Sequence, residues 1–307
     1  MTATTTSPGL ASRLVNGILA IKPLANLAKN RARKMMIERA EQMGVPWRDR
    51  VRELSHYDWD SRFQHVQNPN VTYPDYYLRS FHAYDAGNLN WEAAWEEEVA
   101  AYAVHSRLWP DAGKQGDARL RQCYHDALRS QIPVPPQKIV DLGCGVGMSA
   151  FALQNIYPEA QITGVDLSPY FLAVAQYNSE QRDVAIAWQH AAAEATGLPD
   201  ASFDLVSACL LFHELPQAVS KAAFTEAKRL LRPGGSFAMM DMNPRSEAYA
   251  TMPPYILTLL KSTEPYLDEY FTLDIEQSLM EAGFERPTIA PKTPRHRAVV
   301  AKVRSEL

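Results

Sequence analysis

The stretch that most constrains this chain is Ile139-Val-Asp-Leu-Gly-Cys-Gly-Val-Gly147. Apolar residues run directly into three glycines at alternate positions, and Met148 to Tyr157 then follows a helical pattern. Glycine permits a strand to turn sharply into a helix, because positive φ costs it little and no Cβ stands between the backbone and a bound molecule. The free N–H groups at the helix start then face that molecule. The stretch therefore predicts a ligand-holding strand, turn and helix, a feature shared by many nucleotide-binding folds.

The surrounding pattern places this unit in a larger sheet. Short β-type runs alternate with helical ones: Lys138–Leu142 then Met148–Tyr157, Gln161–Asp166 then Pro169–Glu180, Ala185–Gln189, Phe203–Leu211 then Gln217–Leu231, and Ser236–Asp241. This βαβαβ order predicts an α/β fold whose sheet is mostly parallel and covered by helices on both faces. A helix over Leu273–Ala282, a strand around Pro287–Ala290 and a final run Arg297–Val303, pairing antiparallel with its neighbour, complete the expectation.

Upstream the signals are helical. Trp91, Ala94, Trp95, Val99 and Tyr102 fall at helical spacing behind Asn90 as a cap, with Glu92 and Glu96 to Glu98 read as a solvated face, and a second helix is expected over Asp117–Arg129. Three prolines in Gln131-Ile-Pro-Val-Pro-Pro-Gln-Lys138 end that pattern. The expected organisation is a basic N-terminal segment (1–37), a helical extension acting as a substrate lid (38–135) and a ligand-binding domain (136–307).

With 46% hydrophobic and 21% charged residues over 307 positions, the chain has material for a sizeable core, which argues against disorder. Cys123, Cys144 and Cys209 are odd in number and far apart, so neither a disulfide framework nor a zinc motif is expected, and a reducing compartment is. No window reaches the roughly 18 apolar residues of a spanning helix.

Charge is uneven. Residues 1–37 hold six basic and no acidic residues, leaving 25 basic against 35 acidic, or −10, for the remainder. A nucleic-acid partner is therefore not expected. The basic segment reads as a plain solvated helix, a peripheral membrane contact or a transit peptide, so the expected location is the cytoplasm with membrane contact or organellar targeting left open.

Two acids sharpen the glycine-rich turn. Asp166 ends the next strand, 19 residues after Gly147, where a carboxylate accepts both hydroxyls of a ribose. Asp141 precedes the glycines, a place that suits a cationic amino group and would repel a pyrophosphate. A nicotinamide dehydrogenase fits the first acid and not the second.

Val140-Asp-Leu-Gly-Cys-Gly-Val-Gly147, Gly164-Val-Asp-Leu-Ser168, Ala193-Glu194 followed by Leu198-Pro199 and Ser202-Phe-Asp-Leu-Val206, and Arg229-Leu-Leu-Arg-Pro-Gly-Gly235 occur in that order. Over about residues 136–303 the chain resembles class I S-adenosylmethionine-dependent methyltransferases, in particular the type 11 group that includes ubiquinone and menaquinone C-methyltransferases. The resemblance implies a Rossmann-like, seven-stranded sheet and S-adenosylmethionine as cofactor. Gly143, Gly145 and Gly147 would pass under its methionine part, Asp141 would orient its amino group and Asp166 would hold its ribose. Leu167 would pack on the adenine, Ala193 would meet the adenine edge, and Cys209 and Leu210 would line the sulfonium side. The family often has an acid where this chain has Ala192, so Glu194 or a backbone carbonyl would receive the adenine amino group. Both cysteines also suit the simpler role of small packing residues.

Methyl transfer from a sulfonium is an in-line displacement, so the protein mainly aligns the acceptor and removes a proton where the acceptor carries one. His213, in Phe212-His-Glu-Leu-Pro216 after the fourth strand, is the catalytic candidate; the competing reading is that it and Glu214 pin the helix starting near Pro216. Residues 57–110 hold 12 of the 30 aromatics, a density that suits packing on the core and a lid over a planar acceptor, with Tyr77, His82 and Tyr84 as the residues chosen to face it. A second wall is expected from the insertion Tyr249–Tyr270. No metal is expected. The resulting function is methyl transfer to an oxygen or carbon nucleophile of a small, hydrophobic or aromatic acceptor; the alternative is an inactive protein of the same fold that docks to a membrane-associated partner.

Overall fold

The computed structural model describes residues 22–82 and 84–304; the first 21 residues of the basic segment lie outside that range. Seven strands form one sheet: β1 (Lys138–Leu142), β2 (Gln161–Asp166), β3 (Ala187–His190), β4 (Phe203–Cys209), β5 (Leu231–Met242), β6 (Thr288–Pro291) and β7 (His296–Lys302), ordered β3-β2-β1-β4-β5-β7-β6. The first five are parallel and β7 runs antiparallel between β5 and β6. The expected α/β sheet and its antiparallel end are both present.

Helices cover the two faces because alternate residues of the central strands are apolar in both directions. Val140 and Leu142 of β1 pack with Ala223, Phe224, Ala227 and Leu230 of α8 (Gln217–Leu230). Ile139, which precedes Val140 and points to the opposite side of the pleat, joins Ala150 and Leu153 of α6 (Met148–Ile156) and Leu120, Tyr124, Ala127 and Leu128 of α5 (Gly116–Gln131) on the other face. Each such aliphatic side chain, withdrawn from water, contributes about 1.5–3 kcal/mol.

That packing revises the expected boundary at 135/136. The three prolines do end α5, yet α5 is a layer of the sheet and not part of a separate extension. The boundary at 37/38 falls inside α1 (Lys22–Gln42), which runs unbroken across it. No helix among the described residues is long and apolar enough to cross a membrane.

The rest of the extension comprises α2 (Trp47–Ser55), α3 (Asp60–Val66) and α4 (Trp91–His105), the last capped by Asn90 Oδ1, which accepts from Ala93 N–H at 2.9 Å. Trp59, Phe63 and Trp91 pack with Tyr170 and Tyr177 of α7 (Pro169–Arg182), so most of the aromatic density glues extension to core. Glu96 to Glu98 do not form the solvated face expected of them. Glu96 is 2% exposed and takes donors from Arg33, Trp47 Nε1 and Tyr84 Oη, so one acid of the run is neutralised inside by Arg33. Glu97 points into the glycine-rich turn, accepting from Val146 N–H at 2.9 Å.

Four short helices lie between β5 and β6: α9 (Glu247–Ala250), α10 (Pro254–Thr263), α11 (Leu267–Thr272) and α12 (Ile275–Glu281). The first three occupy the insertion between β5 and α12 at the carboxyl edge of the sheet.

Candidate active site

The carboxyl ends of β1, β2, β4 and β5 place Asp141, Asp166, Leu210 and Asp241 along one edge of the sheet. Ligands of open parallel sheets bind at this edge, where the strand order reverses on either side of β1.

Asp166 is 8% exposed and spans the glycine turn: Oδ2 accepts from Gly145 N–H at 2.9 Å and Oδ1 from Ser168 N–H at 2.8 Å. Burial pushes its pKa up to about 6, partly offset by those N–H donors. Each oxygen retains a lone pair for a further donor. Asp141 is fully buried; Ser149 Oγ donates to Oδ2, while Oδ1 has no partner. Burial raises it to about 7.

Gly143, Gly145 and Gly147 all have positive φ, at 65°, 54° and 91°. A Cβ on Gly145 would lie 2.0 Å from Glu97 Oε1, and one on Gly143 would lie 2.5 Å from Leu211 Cδ1. At Gly147 a Cβ would meet Phe151 and Trp188, so this third glycine also lets α6 pack closely on the sheet. Leu210, beyond the end of β4, holds φ +63° although it is not glycine, and its N–H donates to Met240 O at 2.8 Å. Strained backbone of this kind, costing roughly 1–3 kcal/mol, persists where the surroundings impose it and clusters at functional sites.

The loop after β3 supplies the next wall. Leu167 and Ala193 are buried, and Glu194 accepts from Tyr76 Oη at 2.7 Å on Oε1 while its buried Oε2 has no partner. His190 locks this loop to the extension, its Nδ1 accepting from Asn68 N–H at 3.0 Å and its Nε2 lying 3.1 Å from Leu167 O. Burial lowers the His190 pKa, consistent with a neutral ring that accepts at one nitrogen and donates at the other.

Cys209 and Cys144 are both buried and free. Burial pushes the Cys209 thiol up to about 12 despite the Arg121 guanidinium 3.9 Å away, and Cys144 is raised well above the usual thiol range for the same reason.

His213 sits in a 3-10 turn (Phe212–Glu214) and pairs through Nδ1 with Asp241 Oδ1 at 2.8 Å. The other Asp241 oxygen accepts from Phe212 and His213 N–H at 2.8 and 3.3 Å. Burial acts to lower the imidazole, but the Asp241 carboxylate outweighs it and holds His213 up to about 9. His213 therefore does not cap α8: the first N–H of that helix, from Gln217, donates to Glu269 Oε2 at 2.9 Å.

The three side chains chosen to face the acceptor separate. Tyr77 is half-buried, and burial together with the nearby Asp166 and Glu214 carboxylates raises its phenol well above 10. His82 lies with Nε2 3.3 Å from Glu214 Oε1 and 3.2 Å from Glu264 Oε1, Glu264 being 6% exposed. Tyr84 donates its hydroxyl to Glu96, and its ring packs against the cluster that holds Cys144 and Val146. The sequence reading missed Asp241, Glu97, His190 and Glu264. Asp241 carried the same signal as Asp141 and Asp166, an acid closing an apolar strand; the other three carried none.

A family model described as a methyltransferase domain matches residues 139–235. The chain is 33% identical over 109 residues to a demethylmenaquinone methyltransferase of Thermus thermophilus, covering 36% of this chain and 49% of that enzyme. It thus spans about half the length of that relative. An uncharacterised methyltransferase of Synechocystis sp. is 30% identical over 183 residues, or 60% of this chain and 81% of that protein. A solved structure of an O-methyltransferase assigned only provisionally, from Nostoc punctiforme, shares the fold at a TM-score of 0.53 and 18% identity, over 69% of this chain and 59% of that one.

The glycine turn with its two flanking acids, the strand order and the extent of the match to the Synechocystis protein agree: this chain belongs to the class I S-adenosylmethionine-dependent methyltransferases.

Proposed function

We propose that the chain binds S-adenosylmethionine at the β1–β2–β3 edge and transfers its methyl group to an oxygen or carbon nucleophile of a small, hydrophobic or aromatic acceptor held between the extension and the Tyr249–Tyr270 insertion. The observation that carries this reading is the pair of buried, unpartnered carboxylate oxygens, Asp141 Oδ1 and Glu194 Oε2, at opposite ends of the edge that Asp166 bisects. A buried acceptor without a donor costs about 1–3 kcal/mol, so a native fold keeps one where a ligand supplies the donor. S-adenosylmethionine offers donors in that order: an ammonium, a ribose diol and an adenine amine.

The residues present fit this cofactor. Asp166 holds the diol, Glu194 takes the adenine amine in place of the acid absent at Ala192, and Leu167 and Ala193 pack on the ring. Asp141 Oδ1 takes the donor of the ammonium through a water, and Glu97, packed on the loop at Gly145, adds a second carboxyl group toward it. The positive φ at Gly143 and Gly145 sets the turn that brings the backbone close. When bound, the cofactor supplies a methyl carbon activated by a positive sulfonium.

The chain's own residues then align and deprotonate. Leu210 and Cys209 fix the β4 end facing the sulfonium, and half-buried Tyr77, close enough to Asp166 and Glu214 to feel both charges, faces the acceptor ring. His213 acts on the acceptor proton in its neutral form, with Asp241 fixing the ring through Nδ1. Because the imidazole is held protonated up to about 9, this role predicts turnover that rises with pH toward that value. A membrane-docking role without turnover has less support, since Arg33 of the basic segment is spent on Glu92 and Glu96, at 2.6 Å for the former.

Calorimetric titration with S-adenosylmethionine, S-adenosylhomocysteine and NAD tests the cofactor. Saturable binding of the two adenosyl compounds and none of NAD is expected, followed by label transfer in a screen of phenolic and quinol acceptors. Binding of NAD alone, or of none, would overturn the reading.

A further inference from the structure

Three segments far apart in sequence bring one cluster of donors to the acceptor side of the edge. His82 comes from the extension, Glu214 from the turn after β4, and Glu264 from the residue after α10. One ligand atom from each lies within 4.8 Å of the other two, and the two His82 contacts are 3.3 and 3.2 Å. Ligands bound at about 2.0–2.2 Å to one ion, at right to tetrahedral angles, stand roughly 3.0–3.5 Å apart, so these separations match a shared ion.

A protonated His82 between two carboxylates accounts for those two contacts. It leaves Glu264 Oε2 unexplained: that oxygen is buried, has no donor, and belongs to the carboxylate already turned into the cluster. Two carboxylates at this separation, with Asp241 also near Glu214, repel one another and favour a cation of more than one charge. Exposure is graded in the way an open coordination site requires. The Glu264 side chain is 7% exposed, Glu214 20% and His82 39%, so the cluster is closed behind and accessible in front. The His82 N–H donates to Thr263 O at 3.1 Å, tying the loop that carries one donor to the helix that carries another.

We propose that His82, Glu214 and Glu264 form a binding site for one divalent transition-metal ion, of the Zn²⁺ or Mn²⁺ class, with at least one coordination position open toward the acceptor. One imidazole and two carboxylates are a donor set that suits such ions, and an open position distinguishes a ligand-binding site from a closed structural one. Its expected occupant is an oxygen of the acceptor, which narrows the acceptor to molecules with a hydroxyl, enol or carboxylate donor. That narrowing rests on the methyl-transfer reading; the ion site does not.

The test uses the full chain after chelator treatment, with no cofactor present. Zn²⁺ is titrated by calorimetry and Mn²⁺ by electron paramagnetic resonance. One equivalent is expected, together with a rise in Tm that saturates with the ion. His82→Asn and Glu264→Gln should each weaken binding at least 10-fold and abolish the rise in Tm. Should either variant fail to fold, Glu214→Gln and the wild-type Tm response carry the test. Uptake well below one equivalent, or folded variants that bind as wild type does, would overturn the site. S-adenosylmethionine titrated into the same samples separates the two readings: cofactor binding without ion binding removes only the ion, and the converse removes only the methyl-transfer reading.

Discussion

At the β1–β2–β3 half of the sheet edge, each acid proposed to meet the cofactor lies in or just after a strand, next to its turn or loop: Asp141 before the glycines, Asp166 before Ser168, Glu194 just after β3. At the β4–β5 half the functional groups come from four distant places, with His213 from the turn after β4, Asp241 from β5, Glu264 from the insertion and His82 from the extension. The first half is built from local backbone geometry and the second from contacts that exist only after the chain has folded. Local geometry tolerates few substitutions, whereas an assembled wall can change its occupant while the sheet beneath stays the same.

The sharpest break in that comparison is expected from Gly145→Val. Its Cβ would stand 2.0 Å from Glu97 Oε1 at a φ of 54°, so cofactor affinity in calorimetry should fall beyond detection while the sheet still folds. His213→Ala comes next. It should slow transfer about 100-fold or more, leave cofactor affinity within about twofold, and remove the rise of wild-type turnover toward pH 9. Unchanged turnover would return His213 to a purely structural role.

The same pair makes a stability prediction with a definite sign. The His213 pKa is raised on folding, so its contribution is complete below the ordinary histidine value of about 6.5 and is lost as pH rises through about 9. His213→Ala should therefore be most destabilising near pH 6, by roughly 2–3 kcal/mol, and least so above pH 9, as read by denaturant melts at both values.

Asp166→Ala should weaken cofactor binding by about 1–3 kcal/mol through lost ribose hydrogen bonds, and unaltered affinity would remove it from the site. Glu194→Gln should cost less, roughly 1 kcal/mol, since one amine contact changes. Tyr84→Phe is the smallest expected effect: about 1 kcal/mol of stability from the lost bond to buried Glu96, with cofactor affinity and turnover unchanged. A selective loss of turnover in that variant would put Tyr84 back on the acceptor wall.

Much of the fold was legible before any coordinates. The predicted β1 and β2 have the observed limits, and α4, α5 and α8 start within a residue of expectation, because caps, prolines and two-fold alternation act over a few residues. Two deviations have local causes. β4 stops at Cys209 because Leu210 adopts positive φ, and β5 begins at Leu231 and resumes pairing at Ser236 after the Arg232-Pro-Gly-Gly235 bulge. The Glu96 to Glu98 run misled because a run of acids carries no sign of which way its helix will face.

The sequence by itself determined the glycine turn, its flanking acids, the order of strands and helices, and hence the family. These follow from φ preferences, side-chain periodicity and chain connectivity, all of which act between near neighbours. Only the tertiary structure decided that α5 belongs to the core, that Glu97 reaches the turn from the extension, that His213 pairs with Asp241, and that His82 meets Glu214 and Glu264. Those contacts join residues 28 to 182 positions apart, and no local preference specifies a meeting at that distance; the packing of the helices against the sheet does.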